Sequence, residues 1–166
     1  FEQLSAKLNW TLAEPRIDGE GQNLPFAKKH ATGTASGRYR SSLDGPGEID
    51  ITARLGRADG AAVWRYMPLV VNRDVRDWLR ASITGGRADD ALLRLKGDLK
   101  DFPFADGKQG TFQVSAKFAG ADLRYAPGWP GIDNIAGDLL FEGRRMLIRA
   151  DKGTIYGVTV SGVSAE

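Results

Sequence analysis

The chain has 166 residues, 42% of them hydrophobic, with 23 Lys and Arg against 21 Asp and Glu and a net charge of +2. That length fits one domain with a core, and a charge balance this close to neutral, with no basic cluster interleaved with aromatics, argues against a nucleic-acid partner. Cysteine is absent, which removes disulfide frameworks, thiolate zinc sites and cysteine nucleophiles, and no apolar run reaches the roughly 20 residues that cross a bilayer.

In chain order, Ala6, Leu8, Trp10 and Leu12 alternate with Lys7, Asn9 and Thr11 and predict a half-buried strand. Asp18 to Lys29 is rich in glycine, asparagine and charge and reads as a loop. Thr32 to Arg40, interrupted by Gly33 and Gly37, reads as an irregular or edge strand. Asp44-Gly45-Pro46-Gly47 is a turn. Ile49, Ile51, Ala53 and Leu55 then alternate with Asp50, Thr52 and Arg54, the cleanest period-2 run of the first half. Ala61 to Tyr66 predicts a short helix stopped by Pro68. Asn72 predicts the cap of a second helix, with Val75, Trp78, Leu79 and Ile83 on one apolar stripe and Gly85-Gly86 at its end.

Strands return after the helix. Ala91, Leu93, Leu95 and Leu99 alternate against Leu92, Arg94, Lys96 and Asp98. Phe112, Val114, Ala116 and Phe118 alternate against Gln113, Ser115 and Lys117, and Leu123 and Tyr125 continue after Gly120. Ile135, Leu139 and Phe141 face away from Asp138 and Glu142, and Met146, Ile148 and Ala150 away from Arg145 and Arg149, while both faces are mixed from Thr154 to Val163. Asp101-Phe102-Pro103-Phe104 and Tyr125-Ala126-Pro127-Gly128-Trp129-Pro130 interrupt the alternation. Proline donates no ladder hydrogen bond, so these are corners, and Trp78, Phe102, Phe104 and Trp129 are candidates for corner or end-plug positions.

The expectation is a mainly β protein: one antiparallel, strongly curved, groove-like sheet of about nine strands with a short helical insert. Residues 1–166 form a single segment, with strands over about 5–57, the insert over about 60–84 and strands over about 88–164. A chain that opens on Phe1 and closes on Glu166 inside an alternating run reads as a piece of a longer protein. Nine strands about 4.8 Å apart span about 40 Å, whereas a helix of about 12 residues is about 18 Å long. The insert cannot cover such a sheet. Either the sheet folds over on itself or part of its apolar face stays open as a groove.

Catalytic chemistry finds little support. His30 is the only histidine and follows Lys28-Lys29, as a solvated surface residue would. Asp89 and Asp90 are adjacent on a strand and point to opposite faces. Gly19-Glu20-Gly21 and Gly85-Gly86 lack the strand-to-helix setting of a phosphate loop, and there is no Gly-x-Ser-x-Gly elbow or helical metal pair. Asn9-Trp10-Thr11 matches a glycosylation sequon inside a strand, and Trp129-Pro130 reads as a plug of the sheet end before it reads as a sugar platform. No catalytic residue, metal ligand or cofactor is predicted.

One ordered series carries a resemblance: Tyr66-Met67-Pro68, the helix with Trp78-Leu79, Gly97-Asp98-Leu99 with Asp101-Phe102-Pro103-Phe104, Phe112-Gln113-Val114 and Tyr125-Ala126-Pro127-Gly128-Trp129-Pro130. It closes with Gly137-Asp138-Leu139-Leu140-Phe141-Glu142-Gly143 and Gly153-Thr154-Ile155-Tyr156-Gly157. In this series, from about Trp64 to Val163, the chain resembles the central region of the YhdP-type AsmA-like proteins of Gram-negative envelopes. The resemblance implies a long inner-membrane-anchored protein that crosses the periplasm, with an elongated β-groove linked to phospholipid transport and outer membrane biogenesis. It implies no catalytic motif. Its implied partners are phospholipid, neighbouring segments of the same chain and the two membranes, and its implied groove lining falls on Leu93, Leu95, Phe112, Val114, Phe118, Leu139, Phe141 and Ile148. The alternative is a closed β-sandwich acting as a spacer or protein-docking module of the envelope. Exposure of the apolar face separates the two.

Overall fold

The period-2 runs become ladders of one antiparallel sheet in the computed structural model, which describes residues 3–4, 8–13, 16–67, 71–105 and 107–165, with side chains from residue 17 onward. The strands are β1 (Gln3–Leu4), β2 (Leu8–Ala13), β3 (Arg16–Lys28), β4 (Ala31–Arg40), β5 (Glu48–Asp59), β6 (Arg87–Asp98), β7 (Gly110–Leu123), β8 (Ile132–Glu142), β9 (Arg145–Ile155) and β10 (Val158–Ala165). From β3 to β10 every strand pairs with its neighbour in the chain, and β1 and β2 share the outer edge of β3. The sheet is open, with β10 at the other edge. Between β5 and β6 stand a 3₁₀ segment, Gly60–Tyr66, and helix α1, Arg73–Ser82. A second 3₁₀ turn, Leu99–Asp101, follows β6.

The architecture is the expected one, with the strands divided five and five around the insert rather than three and six. Asp18 to Lys29 is not a loop: residues up to Lys28 belong to the long strand β3. Its alternation is hidden by a bulge between Gly21 and Leu24, where Asn23 takes φ 49° and its N–H is held by Ser36 Oγ at 2.8 Å. Thr32 to Arg40 is an interior strand, not an irregular edge. Its apolar-face positions are Gly33, Ala35 and Gly37, too small to show as hydrophobic periodicity. A Cβ on Gly37 would run into the Asp50 carbonyl oxygen and the Ile51 Cα, so glycine is what lets β4 and β5 approach. In the second half β7 runs unbroken through Gly120, which removes one predicted strand. Residues 5–7 of the first predicted strand and Pro68, the predicted helix stop, lie outside the described residues.

Directly paired residues project to the same side of a sheet. One row of such pairs, Leu24–Ala35–Ala53–Leu93–Val114–Phe141–Met146, crosses seven strands. Beside it run Ile51–Leu95–Phe112 and Ala116–Leu139–Ile148. The reverse side carries Arg38–Asp50–Lys96–Thr111 and Lys117–Asp138–Arg149. Bulges at the same end of β5, β6 and β7, at Gly56, Asp90 and Gly120, add one residue each. Such bulges bend strands and raise their twist. They also keep Ala58, Ala88 and Phe118, a further row, on the apolar side.

Two predictions follow from this packing. Gly37→Val forces β4 away from β5 and is expected to cost about 1–3 kcal/mol in denaturant unfolding; a neutral effect would mean that the ladder shifts freely. On the reverse face Asp50 meets Arg94, Lys96 (3.7 Å) and Arg38 (3.8 Å). The hydrogen bond from Arg94, then the charges of Arg94, Lys96 and Arg38, hold its carboxyl below the ordinary carboxylate range. A carboxyl lowered on folding stabilises above its unfolded pKa, and that stability is lost as pH falls through the folded value. Asp50→Asn should therefore cost about 1 kcal/mol or less at neutral pH and flatten the decline in unfolding midpoint below about pH 4. An unchanged acid profile would remove this cluster from the stability account.

Candidate functional site

The eight predicted groove positions, Leu93, Leu95, Phe112, Val114, Phe118, Leu139, Phe141 and Ile148, fall on one face through cross-strand pairing and through alternation along each strand. Leu95 is buried at 8% exposure, and the other seven are half-buried. The described residues place no second sheet over them. The face also extends into the first half of the chain through Leu24, Ile49, Ile51, Ala53 and Leu55, whose alternation was visible over residues 49–55. The seven-strand row spans about 29 Å at about 4.8 Å per strand, roughly the thickness of a bilayer hydrocarbon core.

The two ends of the strands differ. At one end the connection from β6 to β7 folds back over the apolar face. Phe104, 3% exposed, rests on Gly97 and Gly110, where a Cβ at either glycine would strike its ring. Phe102 joins it with a ring-centroid distance of 6.1 Å and reaches Phe112 at 4.9 Å, and Phe112 meets Phe141 at 6.0 Å. These two phenylalanines close that end of the face.

The other end carries the insert. Asn72 Oδ1 caps α1 by accepting the Asp74 N–H at 2.8 Å, and Asp74 lies in its first turn. The helix stops at Ser82, ahead of Gly85-Gly86, because Ile83 bridges to Leu123 and Arg124 N–H donates to the Ser82 carbonyl at 2.8 Å. The predicted stripe is not buried on the sheet: Val75 is 48% exposed and Trp78 40%. Trp78 donates its indole N–H to the Tyr125 carbonyl at 3.0 Å and stands edge-on to that ring at 6.0 Å, and Tyr125 meets Trp129 at 5.5 Å. Trp129 is 68% exposed. Trp78 and Trp129 therefore mark a corner and do not plug it. The short β7–β8 connection leaves Trp129 no layer to enter, since its Pro127-Gly128 turn projects the ring outward. Sequence reading passed over Trp64, which receives the guanidinium groups of Arg65 and Arg80, and only its tryptophan identity beside an arginine could have marked it.

Two further polar features are built from pairs. His30 Nδ1 lies 3.0 Å from Asp59 Oδ2 and is half-buried rather than fully solvated, because Asp59 also caps the 3₁₀ segment through the Ala61 N–H. A depression of about 590 Å³ on the polar side is lined by charges of both signs, among them Asp18 with Arg40 and Asp50 with Arg38. Among the described residues no three His, Cys, Asp or Glu side chains converge as metal ligands would, and no helix is long and apolar enough to cross a membrane.

Truncation separates the two ends. Phe104→Ala empties a filled site and is expected to cost about 3–4 kcal/mol. Trp78→Ala removes a half-exposed ring and one hydrogen bond and should cost about 1–2 kcal/mol. Chemical denaturation of both variants checks the order; equal losses would mean that both ends are packed alike.

Comparison with known proteins gives two matches. The family described as YhdP protein matches residues 1–166. The intermembrane phospholipid transporter YhdP of Escherichia coli (strain K12) is 27% identical over 161 residues, which is 96% of this chain and 13% of that protein. The chain thus spans about 13% of the length of the curated relative it matches. No solved structure matches. With its whole length matched by the family, and with the open antiparallel sheet that its resemblance implies, this chain belongs to the YhdP family.

Proposed function

We propose that this chain is a non-catalytic segment of a lipid conduit that runs through the periplasm between inner and outer membranes, and that its apolar face shields phospholipid acyl chains in transit. The matched relative is an intermembrane phospholipid transporter. The observation that carries the reading is the largely half-buried apolar row across seven strands, backed by a reverse side that carries the charge cluster around Asp50. A lipid tail in water costs about 0.8 kcal/mol per CH₂. A continuous apolar floor offsets that cost along the whole path and requires no chemical step. In the whole protein, neighbouring segments of the same chain extend the floor and an inner-membrane anchor fixes one end. The sandwich alternative requires a second apolar layer over the face, and the described residues form one sheet.

Val114→Asp tests the reading, since Val114 stands mid-row. A carboxylate on an open face keeps much of its hydration, so unfolding should change by about 1 kcal/mol or less, while phospholipid supply to the outer membrane in cells falls. In a dry core the same group would cost several kcal/mol. A variant that unfolds supports the closed module. A folded variant with full lipid supply would show that lipids do not pass Val114.

A further inference from the structure

Resting on the conduit reading, we propose that the end of the sheet carrying the insert is the headgroup side of the lipid path. Arg65 and Arg80 there hold the phosphodiester of a phospholipid whose chains lie on the apolar face.

The aromatic residues divide largely by chemistry, with one exception, Tyr39, which lies at the far end of β4 and donates its hydroxyl to the Pro46 carbonyl. Phe102, Phe104, Phe112, Phe118 and Phe141, purely apolar rings, line the face or close its other end. Trp64, Tyr66, Trp78, Tyr125, Trp129 and Tyr156, each with an apolar body and a polar tip, stand at the insert end, in the insert or in the turns that follow β7 and β9. Tyr66 is 43% exposed, Tyr125 53% and Tyr156 86%. A tryptophan–tyrosine belt is what an apolar-to-aqueous boundary selects, because the ring sits at the glycerol level and the tip reaches water.

The charge at this end fits an anion. The Arg65 and Arg80 Cζ atoms lie 4.6 and 5.0 Å from the centroid of one indole, that of Trp64. The two guanidiniums are therefore within about 10 Å of each other, and among the described residues neither is ion-paired to a carboxylate. Three acids of this end are engaged elsewhere: Asp77 pairs with Arg73, Asp133 with Arg124, and Asp122 accepts the Asn134 N–H. Planar guanidinium forks gathered at one indole suit bidentate hydrogen bonds to phosphate oxygens.

The test compares two lipids with the same tails. Purified protein is mixed in detergent with dioleoyl phosphatidylglycerol or with dioleoylglycerol, which lacks the phosphate, and bound lipid is counted by native mass spectrometry. The expected result is a preference of about tenfold or more for the phospholipid, which Arg65→Gln with Arg80→Gln reduces to near parity while dioleoylglycerol is retained. Arg73→Gln, at a cation already paired with Asp77, should leave the preference intact. Should the double variant unfold by circular dichroism, each single variant is expected to lower the ratio about threefold. Equal binding of both lipids to the unaltered protein overturns this inference and leaves the conduit standing, whereas binding of neither overturns both. A preference that survives the double variant, or one lost equally in Arg73→Gln, also overturns it. So does inorganic phosphate that binds as tightly as the phospholipid, which would mark a free-anion site. Phosphatidylglycerol vesicles that sediment the protein without yielding lipid to it, in an arginine-dependent way, would mark a membrane-docking patch instead.

Discussion

Among the described residues, a single sheet with one apolar face and no covering layer is the constraint on which the rest of the structure depends. Most domains bury apolar surface between two layers. Here, among the described residues, apolar burial is confined to a few, mostly small ones such as Ala31, Ala53, Ala62 and Ala91, with Leu95, Phe104 and Ile135. Cohesion must then come from the ladders themselves, from close strand approach at positions such as Gly37, and from the paired charges around Asp50 on the reverse side. An open apolar face is a liability in a structural module and an asset in a surface that must take up and release a greasy partner along its length.

Such a sheet also has to manage its bends. Leu55 and Ala58 are three residues apart and still share a face, because Gly56 is an added bulge residue against β4. Asp90, with φ 55°, does the same in β6. Without these insertions every residue beyond them would turn to the polar side. The bulges thus do two things at once: they bend the strands near the insert, and they carry the apolar surface around the bend.

The strand ends complete the division of labour. Phe102 and Phe104 fold inward over Gly97 and Gly110 and close one end with rings that have no polar atom. The insert end turns its aromatic rings outward, anchored by the Trp78–Tyr125 hydrogen bond and by the welding of α1 onto the end of β7. A lipid laid along the floor would meet an apolar wall on one side and an amphipathic, cationic rim on the other.

The sequence by itself determined the fold class, the apolar parity of β5 to β9, the cap of α1 at Asn72 and the corners at Phe102-Pro103 and Trp129-Pro130, because each is encoded over a few adjacent residues. Tertiary structure alone decided that Arg16–Lys28 is a strand and Ala31–Arg40 an interior one, since their ladders are backbone bonds to distant segments and their inward positions include glycines. It decided that the stripe on α1 stays half-exposed, because amphipathic spacing states which side is apolar and not what covers it. It also brought Arg65 and Arg80 to one indole, a convergence across the turn between two helices that no local pattern records.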